Sequence, residues 1–420
     1  MERLKERGIR LIERSKGELL DLCRRLIQTS SENPPGDVEG VVSMTREVLG
    51  NWGIESRVYR PEKARPNLVS RVGSGKGGLI LNGHMDVVPA GDRRRWDFDP
   101  YCGEIRGGRV FGRGASDMKG GLAGLIWALV TTVGIEADLA KPLILALVPD
   151  EETGSRFGTK WLIEQGKIDG DGCIVGEPST NSGCVLGEKG LVQLKLSASG
   201  IPAHGSLPML GENAILKITN SFSALQELTK IAVRVPRNFE ETIERAKAVI
   251  KKRGARATRV GRGKVGRVAE ALDHVTINVG TVSGGTKVNV VPEHCESEVD
   301  IRIPVGVSSE QVFRESEKLL EPYGVSCEIM SRSEPNYTSQ ETTLYKVVSK
   351  NVREIVGLYP DPIFLTGASD ARFFRLRGIP AIHYGPGSIE YAHSYNEAVE
   401  AKEVITACKV YLATILDLLG

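Results

Sequence analysis

The chain has 420 residues, of which 40% are hydrophobic and 26% are charged, a composition typical of globular proteins with two or three domains. The net charge of +2 neither favours nor excludes a nucleic-acid partner. The seven cysteines form no CxxC pair, which argues against a disulfide framework. No apolar run reaches the roughly 20 residues of a membrane span, and the N-terminus lacks the apolar core of a secretory signal. We therefore expect a cytoplasmic protein with no membrane partner.

Predicted helices and strands alternate through the first 180 residues. Apolar residues at helical spacing predict an amphipathic helix over 3–28, which the prolines of SSENPPG end, and a second helix over 38–52. Further along, short apolar runs predict strands at 56–59, 67–72, 79–81, 143–148 and 173–175, helices at 122–133 and 159–165, and a polar loop over 92–109. This alternation favours an α/β fold with a doubly wound, mixed but mostly parallel sheet.

The pattern changes after residue 188. The predicted elements are then strand 191–199, helix 213–228, strands 275–282 and 288–303, helix 309–323 and strand 325–331. A βαββαβ order is that of the ferredoxin-like α+β sandwich. The α/β character returns with helix 343–356, strand 381–384 and helix 397–419. We predict one domain of residues 1–188 and 335–420, interrupted by an inserted ferredoxin-like domain of residues 189–334.

Histidine and acidic residues follow three of the predicted strands. They are His84 and Asp86 after the first, Glu151 and Glu152 after the second, and Glu177 after the third. In an open α/β sheet, ligands bind outside the carboxyl ends of the strands. Each residue alone has an ordinary explanation, such as a strand-end histidine or a solvated loop carboxylate. Their shared position at strand ends favours one site.

Two further candidates lie in loops before helices. Asp117 lies in GRGASDMKGG, where a helix N-terminus favours a carboxylate, although a simple N-cap is the alternative. His393 precedes the last helix. If all these side chains converge, their nitrogen and oxygen donors suit Zn²⁺, with Co²⁺ or Mn²⁺ as substitutes. Carboxylates this close would repel one another without a cation among them.

Five motifs, in the order HMDVVP, GRGASDMKGG, PDEETGS, GEPS and AHSYNEAVE, resemble the M20 metallopeptidase family. This family includes acetylornithine deacetylases, succinyl-diaminopimelate desuccinylases, aminoacylases and glutamate carboxypeptidases. The resemblance covers roughly residues 18–410. It implies that the first domain is a zinc-dependent catalytic domain. The inserted domain is then a lid through which a homodimer forms.

The resemblance also implies roles for individual residues. The implied ligands of two Zn²⁺ ions per subunit are His84 and Glu177 for one ion, Glu152 and His393 for the other, and Asp117 as the bridge. Glu151 is implied as the general base for a water between the ions, and Asp86 as the residue that orients His84. His204, in SGIPAHGSLPMLGENA, corresponds to a histidine that stabilises the oxyanion from a partner subunit.

Substrate contacts are implied less directly. Arg372, in GASDARFF, corresponds to a late substrate loop and could pair with a substrate carboxylate, with an ordinary surface arginine as the alternative. Asn289 and Arg302 match positions on the substrate side in the family. Asp370 is interpreted as structural.

A basic insert of about residues 230–270 departs from the compact domain expected here. It holds thirteen Lys and Arg against four Glu, and FEETIERAKAVIKKR is predicted to be helical. We interpret it as a solvated helical lid or a decoration of the dimer, with collection of anionic substrate as a second possibility. Apart from Phe239 the insert has no aromatic residue for stacking, which argues against nucleic-acid binding.

These observations predict a dinuclear zinc amidohydrolase of amino-acid biosynthesis that removes the acyl group from an N-acyl amino acid. Glu177 favours this deacetylase or desuccinylase chemistry, because many peptidase members have Asp there. The alternative is a dipeptidase or carboxypeptidase that acts on short peptides at the same site. A metal-binding or scaffold protein without turnover would lack Glu151 or one of the ligands, and all of them are present.

Overall fold

The computed structural model describes residues 2–254 and 262–420, which form two compact units. The first comprises Met1–Leu186, Thr338–Ile363 and Ser369–Gly420, and the second comprises Gly187–Tyr337 and Phe364–Ala368. Residues 255–261 of the basic insert lie outside the described part of the chain. The functional assignment of residues 189–334 as a lid and dimerisation domain stays a prediction.

The N-terminal part of the chain consists of three helices, then five strands, and then alternating helices and strands. The helices are α1 (Glu2–Arg14), α2 (Lys16–Gln28), α3 (Glu39–Gly50), α4 (Gly120–Gly134) and α5 (Thr159–Glu164). The strands are β1 (Ser56–Tyr59), β2 (Asn67–Val72), β3 (Leu79–His84), β4 (Ile105–Arg106), β5 (Arg109–Phe111), β6 (Leu143–Val148), β7 (Gly172–Val175) and β8 (Gly183–Glu188).

Three adjacent strands, β6, β3 and β7, are parallel and completely buried. Their continuous apolar runs suit strands that are covered on both faces. In the register of this sheet, His84 lies opposite Val148 and Asn82 lies opposite Val175. The three strands therefore end at one edge, and the segments that follow them begin side by side.

The second unit contains a four-stranded antiparallel sheet with the order β10-β11-β9-β12. Its helices are α6 (Ala214–Leu225), α7 (Arg237–Gly254), α8 (Arg262–Glu270) and α9 (Ser309–Leu320). Its strands are β9 (Gly190–Ser199), β10 (Thr276–Gly284), β11 (His294–Ile303) and β12 (Val325–Ser333), followed by the short β13 (Asn336–Tyr337). Without α7 and α8, the order is the predicted βαββαβ of a ferredoxin-like fold.

Helix α7, in the first half of the basic insert, is anchored to the second unit by an aromatic contact. Phe239 is fully buried, and its ring lies 4.2 Å from that of Tyr337 and 5.7 Å from that of Phe364, measured between centroids. The described part of the insert therefore packs on this unit through an apolar residue.

The chain then completes the α/β unit. The remaining elements are α10 (Thr343–Val356), β14 (Asp361–Leu365), α11 (Ala371–Arg375), β15 (Ala381–His383), β16 (Ala398–Glu400) and α12 (Ala401–Leu419). Strand β15 lies parallel to β7, which gives four parallel strands, while β1, β2 and β8 pair antiparallel at the flanks. The predicted mixed, mostly parallel sheet is confirmed.

Three predicted boundaries were wrong. The helix over 3–28 is two helices, because Ser15 leaves helical geometry (ψ 14°) and its hydroxyl donates to Leu11 O at 2.9 Å. The strand over 288–303 begins only at His294. The last helix begins at Ala401, because the residues before it pair with β5.

The polar loop predicted over 92–109 is partly structured. Arg93–Arg95 forms a short 3-10 helix, and β4 pairs with β5, which also pairs with β16. Strands of two or three residues are too short to show a periodic pattern in the sequence.

Within residues 2–254 and 262–420, no helix has the length and hydropathy that a membrane crossing would require.

Candidate metal centre

Two histidine–carboxylate pairs meet at Asp117, at the edge of the sheet where the parallel strands end. His84 Nε2 lies 3.1 Å from Asp117 Oδ1 and 3.3 Å from Glu177 Oε1. On the other side, His393 Nε2 lies 3.3 Å from Asp117 Oδ2 and 3.2 Å from Glu152 Oε2. Asp117 thus presents one carboxylate oxygen to each histidine.

This donor set fits divalent cations. Neighbouring ligands of a tetrahedral Zn²⁺ lie about 3.3 Å apart when each is about 2.0–2.1 Å from the ion. One group of ligand atoms, from His84, Asp117 and Glu152, lies within 4.8 Å of one another, and so does a second, from His84, Glu151 and Glu177. Glu152 Oε1 is buried and has no hydrogen-bond partner among the described residues. A cation would satisfy this acceptor.

The charges of the site shift one another's pKa values. Burial, reinforced by the charge of Asp117, raises the pKa of the Glu177 carboxyl to about 7. Burial also raises the pKa of Glu151 well above its usual value. Hydrogen bonds with Asp117 and Glu152 raise the pKa of His393 to about 10. A divalent cation would oppose these shifts, because it favours charged carboxylates and neutral imidazoles.

The Asp86 carboxylate is predicted to orient the His84 ring, but its hydrogen bonds go elsewhere. His84 Nδ1 lies 2.8 Å from the backbone oxygen of Asp86 but 3.7 Å from its carboxylate. The carboxylate instead accepts the backbone N–H groups of Glu151 and Glu152, both at 3.3 Å. Asp86 therefore holds the turn that carries these two glutamates.

Asn33 is a buried partner of Asp86 that the sequence analysis missed. Its Nδ2 donates to Asp86 Oδ2 at 2.8 Å and to Thr153 Oγ1 at 3.2 Å. The neighbouring Asp150 accepts from Arg65 Nη1 at 2.8 Å. The sequence of SSENPPG predicts only the end of a helix, and no local pattern shows that its asparagine reaches a residue 53 positions away.

A close approach of two backbones brings Asp117 and Glu177 together. A Cβ atom on Gly121 would lie 1.8 Å from Gly176 O, so only glycine allows α4 to begin beside the end of β7. Asp117 lies just before α4 and Glu177 directly after Gly176. Gly121, the last glycine of the GRGASDMKGG motif, thus has a packing role.

The loop that carries His393 is fixed by an aromatic contact and a hydrogen bond. The Tyr395 ring lies 6.0 Å from Trp96, and Asn396 donates to Asp97 Oδ2 at 2.8 Å. His393 has a φ of 59°, in the left-handed region that a non-glycine residue rarely adopts. Such conformations persist where the surroundings hold them, often at functional sites.

The residues of the late loop from Ser369 onward lie in the first unit. Asp370 is buried and accepts hydrogen bonds from Ser155 and from Thr159 Oγ1, the latter at 2.7 Å. The guanidinium of Arg372 lies 4.4 Å from the centroid of the Phe373 ring. Asp370 thus makes the contacts of a structural residue, and the substrate role of Arg372 stays a prediction.

The other three predicted residues belong to the second unit. His204 and Asn289 are exposed and lie on adjacent backbone, since Gly205 N donates to Asn289 O at 2.8 Å. Arg302 is half-buried, and its guanidinium donates to both carboxylate oxygens of Asp300, at 2.8 and 3.1 Å. The structure thus brings His204 and Asn289 together, whereas Arg302 already has an anionic partner.

An α/β unit with a cluster of two histidines and four acidic residues at the strand ends is the architecture of a metal-dependent hydrolase. The model of peptidase family M20/M25/M40 matches residues 80–417. The chain belongs to this family, and it is a metal-dependent hydrolase.

Relatives with assigned names agree on this family. The chain is 27% identical over 401 residues to a probable succinyl-diaminopimelate desuccinylase of Staphylococcus aureus (strain MSSA476), with 92% of this chain and 94% of the relative covered. It is also 27% identical over 409 residues to a succinyl-diaminopimelate desuccinylase of Nitrosomonas europaea, with 95% of this chain and 98% of the relative covered.

A solved structure shows the same fold. The M20 family metallo-carboxypeptidase Sso-CP2 from Sulfolobus solfataricus superposes with a TM-score of 0.76 at 21% identity, and the match covers 95% of this chain and 98% of that one.

Proposed function

We propose that the protein hydrolyses the amide bond of an N-acyl amino acid, as a deacetylase or desuccinylase in amino-acid biosynthesis. The observation that carries this proposal is the placement of Asp117 between two histidine–carboxylate pairs. The names of the relatives, at 27% identity, support the acyl amino acid as the substrate class.

In this proposal, His84 and Glu177 would hold one Zn²⁺, Glu152 and His393 would hold a second, and Asp117 would be the shared ligand, with Co²⁺ or Mn²⁺ as substitutes. Two such ions would polarise the scissile carbonyl and lower the pKa of a water molecule. The five ligand side chains offer only nitrogen and oxygen donors, as Zn²⁺ accepts in catalytic sites.

Glu151 acts as the general base. It takes a proton from the attacking water and delivers it to the leaving nitrogen. Its position supports this role, because Glu151 is next to the proposed ligand Glu152 and offers a carboxylate oxygen within 4.8 Å of ligand atoms of His84 and Glu177. Asp86 fixes the backbone of both glutamates through its two accepted N–H bonds.

His204 stabilises the oxyanion. Its Nδ1 accepts the N–H of Ser206 at 3.2 Å, so the neutral ring carries its proton on Nε2 and can donate it to a substrate oxygen. By family resemblance, His204 acts in the site of a partner subunit. Exposed apolar side chains on the same unit support a homodimer through it, and they include Leu207, Met209, Leu210 and Val288.

A cytoplasmic location is part of the proposal. All seven cysteines are free, which suits a reducing compartment.

An activity panel on the zinc-loaded protein tests the substrate class. Its members are N-acetylornithine, N-succinyl-diaminopimelate, other N-acyl amino acids and dipeptides, with the Glu151→Ala variant as a matched control for contaminating hydrolases. We expect the highest kcat/KM on an N-acyl amino acid. Preferred hydrolysis of dipeptides would replace this proposal with the second candidate, a dipeptidase or carboxypeptidase that uses the same residues.

A further inference from the structure

Glu397 is a buried carboxylate that binds the loop carrying Asp117. It accepts four hydrogen bonds, from Arg113 Nη1 at 2.6 Å and from the backbone N–H groups of Gly114 at 3.0 Å, Ser116 at 2.8 Å and Asp117 at 3.0 Å. The side chain has no exposed surface. Both carboxylate oxygens are therefore used within one loop.

The same residue belongs to the segment of the other histidine ligand. Glu397 follows His393 by four positions, and its backbone oxygen accepts the N–H of Gly112 at 2.9 Å. One residue thus connects the segment that carries Asp117 with the segment that carries His393.

The backbone at Asp117 needs this support. Asp117 has φ −123° and ψ 96°, outside the helical region, although it lies in the turn Ala115–Lys119 before α4. Regular helical hydrogen bonds do not hold a residue in this conformation. The Glu397 carboxylate supplies an acceptor for the Asp117 N–H and so limits how the Asp117 side chain can be placed.

We propose that Glu397 is a positioning residue for the metal centre, which sets the backbone of Asp117 and ties it to the His393 segment. This inference rests on the metal ligands of the proposed function. Glu397 acts through the loop, because its oxygens are occupied by N–H donors and not by the ligand side chains. Residues that hold metal ligands from behind typically change metal affinity or activity about 10–100-fold when they are replaced.

Glu397→Gln removes the charge and half of the acceptors at nearly constant volume. Its amide NH₂ would face N–H donors where an oxygen now lies. Metal-free protein is titrated with Co²⁺, and affinity is measured by competition with a chelator while the visible Co²⁺ spectrum reports ligand geometry. We expect about 10–100-fold weaker Co²⁺ binding and an altered spectrum. The Co²⁺ affinity of Glu397→Asp, which keeps the charge, is expected to lie between that of Glu397→Gln and that of the wild type.

Two controls separate the possible failures. Asp417→Asn breaks a partly buried ion pair with Lys5 (2.6 Å) in the same unit, and it is expected to lower stability without changing Co²⁺ affinity or spectrum. Asp117→Ala removes a proposed ligand. If Asp117→Ala leaves Co²⁺ binding unchanged, the proposed metal centre is wrong. If Asp117→Ala abolishes binding while Glu397→Gln and Glu397→Asp match the wild type, only the role of Glu397 is refuted.

Should Glu397→Gln fail to fold, Glu397→Asp carries the test alone: a wild-type Co²⁺ spectrum and affinity in this variant would overturn the positioning role.

Discussion

The candidate residues of the two units are held in different ways. In the first unit, each proposed metal ligand lies 3.1–3.3 Å from another, and Asp86 and Asn33 hold the turn of Glu151 and Glu152 from behind. In the second unit, His204 is exposed, and among the described residues its ring makes hydrogen bonds only with the neighbouring Ser206. The fixed arrangement in the first unit suits side chains that bind a cation. A residue that contacts only the substrate can be exposed to solvent before the substrate binds.

Replacing Glu151 tests the role of the first unit, and it has the largest expected effect. We expect Glu151→Ala to lower kcat at least about 10²–10⁴-fold, the usual contribution of a general base, while both metal ions stay bound. The measurement combines steady-state kinetics with metal analysis of the purified variant. Loss of a metal ion would instead make Glu151 a ligand, as its grouping with His84 and Glu177 also allows.

Replacing His204 tests the role of the second unit. We expect His204→Ala to lower kcat about 10²–10³-fold, as loss of an oxyanion donor does, with little change in metal content. In mixed dimers with Glu151→Ala subunits, activity should return at one of the two sites, because that site would combine Glu151 of the His204→Ala subunit with the intact His204 of its partner. If mixing restores nothing, His204 acts within its own subunit or has no catalytic role.

Asp86→Asn tests whether support behind the ligands matters. The variant loses acceptor capacity for the Glu151 and Glu152 N–H groups, and we expect kcat/KM to fall about 10–100-fold. The loss of activity should exceed the loss of stability, measured as the melting temperature, because the side chain keeps its shape. Equal activity of variant and wild type would show that the turn is held by other contacts.

The two candidate substrate arginines should differ. Arg302 is committed to Asp300, so Arg302→Gln is expected to leave KM nearly unchanged. Arg372 has no comparable anionic partner among its described hydrogen bonds and stacks on Phe373. If it binds the substrate carboxylate, Arg372→Gln removes about 1.5–3 kcal/mol of binding and raises KM about tenfold or more. The reverse order of effects would move the substrate carboxylate to the second unit.

The parts of the site that the sequence predicted share one physical origin. His84, Glu152 and Glu177 follow buried strands, whose continuous apolar runs can be recognised locally, and the parallel arrangement brings their ends to one edge. Asp117 and His393 are candidates from their loops before predicted helices, and the resemblance to a family implies their roles as bridge and ligand.

The remaining parts depend on contacts between distant segments. Asn33 and Glu397 meet their partners across 53 and 280 positions, and nothing in their neighbouring residues indicates this. The contact of His84 Nδ1 with a backbone oxygen in place of the Asp86 carboxylate is a matter of local geometry that spacing does not specify. Strands β4, β5 and β16 are too short to be seen as patterns.

Titration of the metal-free protein with Zn²⁺ tests the central claim most directly. Calorimetry should show two Zn²⁺ per chain for the wild type, one or a much weaker second for His393→Ala, and activity that rises with occupancy. A single Zn²⁺ per chain, or unchanged binding in His393→Ala, would contradict a centre in which Asp117 joins two histidine–carboxylate pairs.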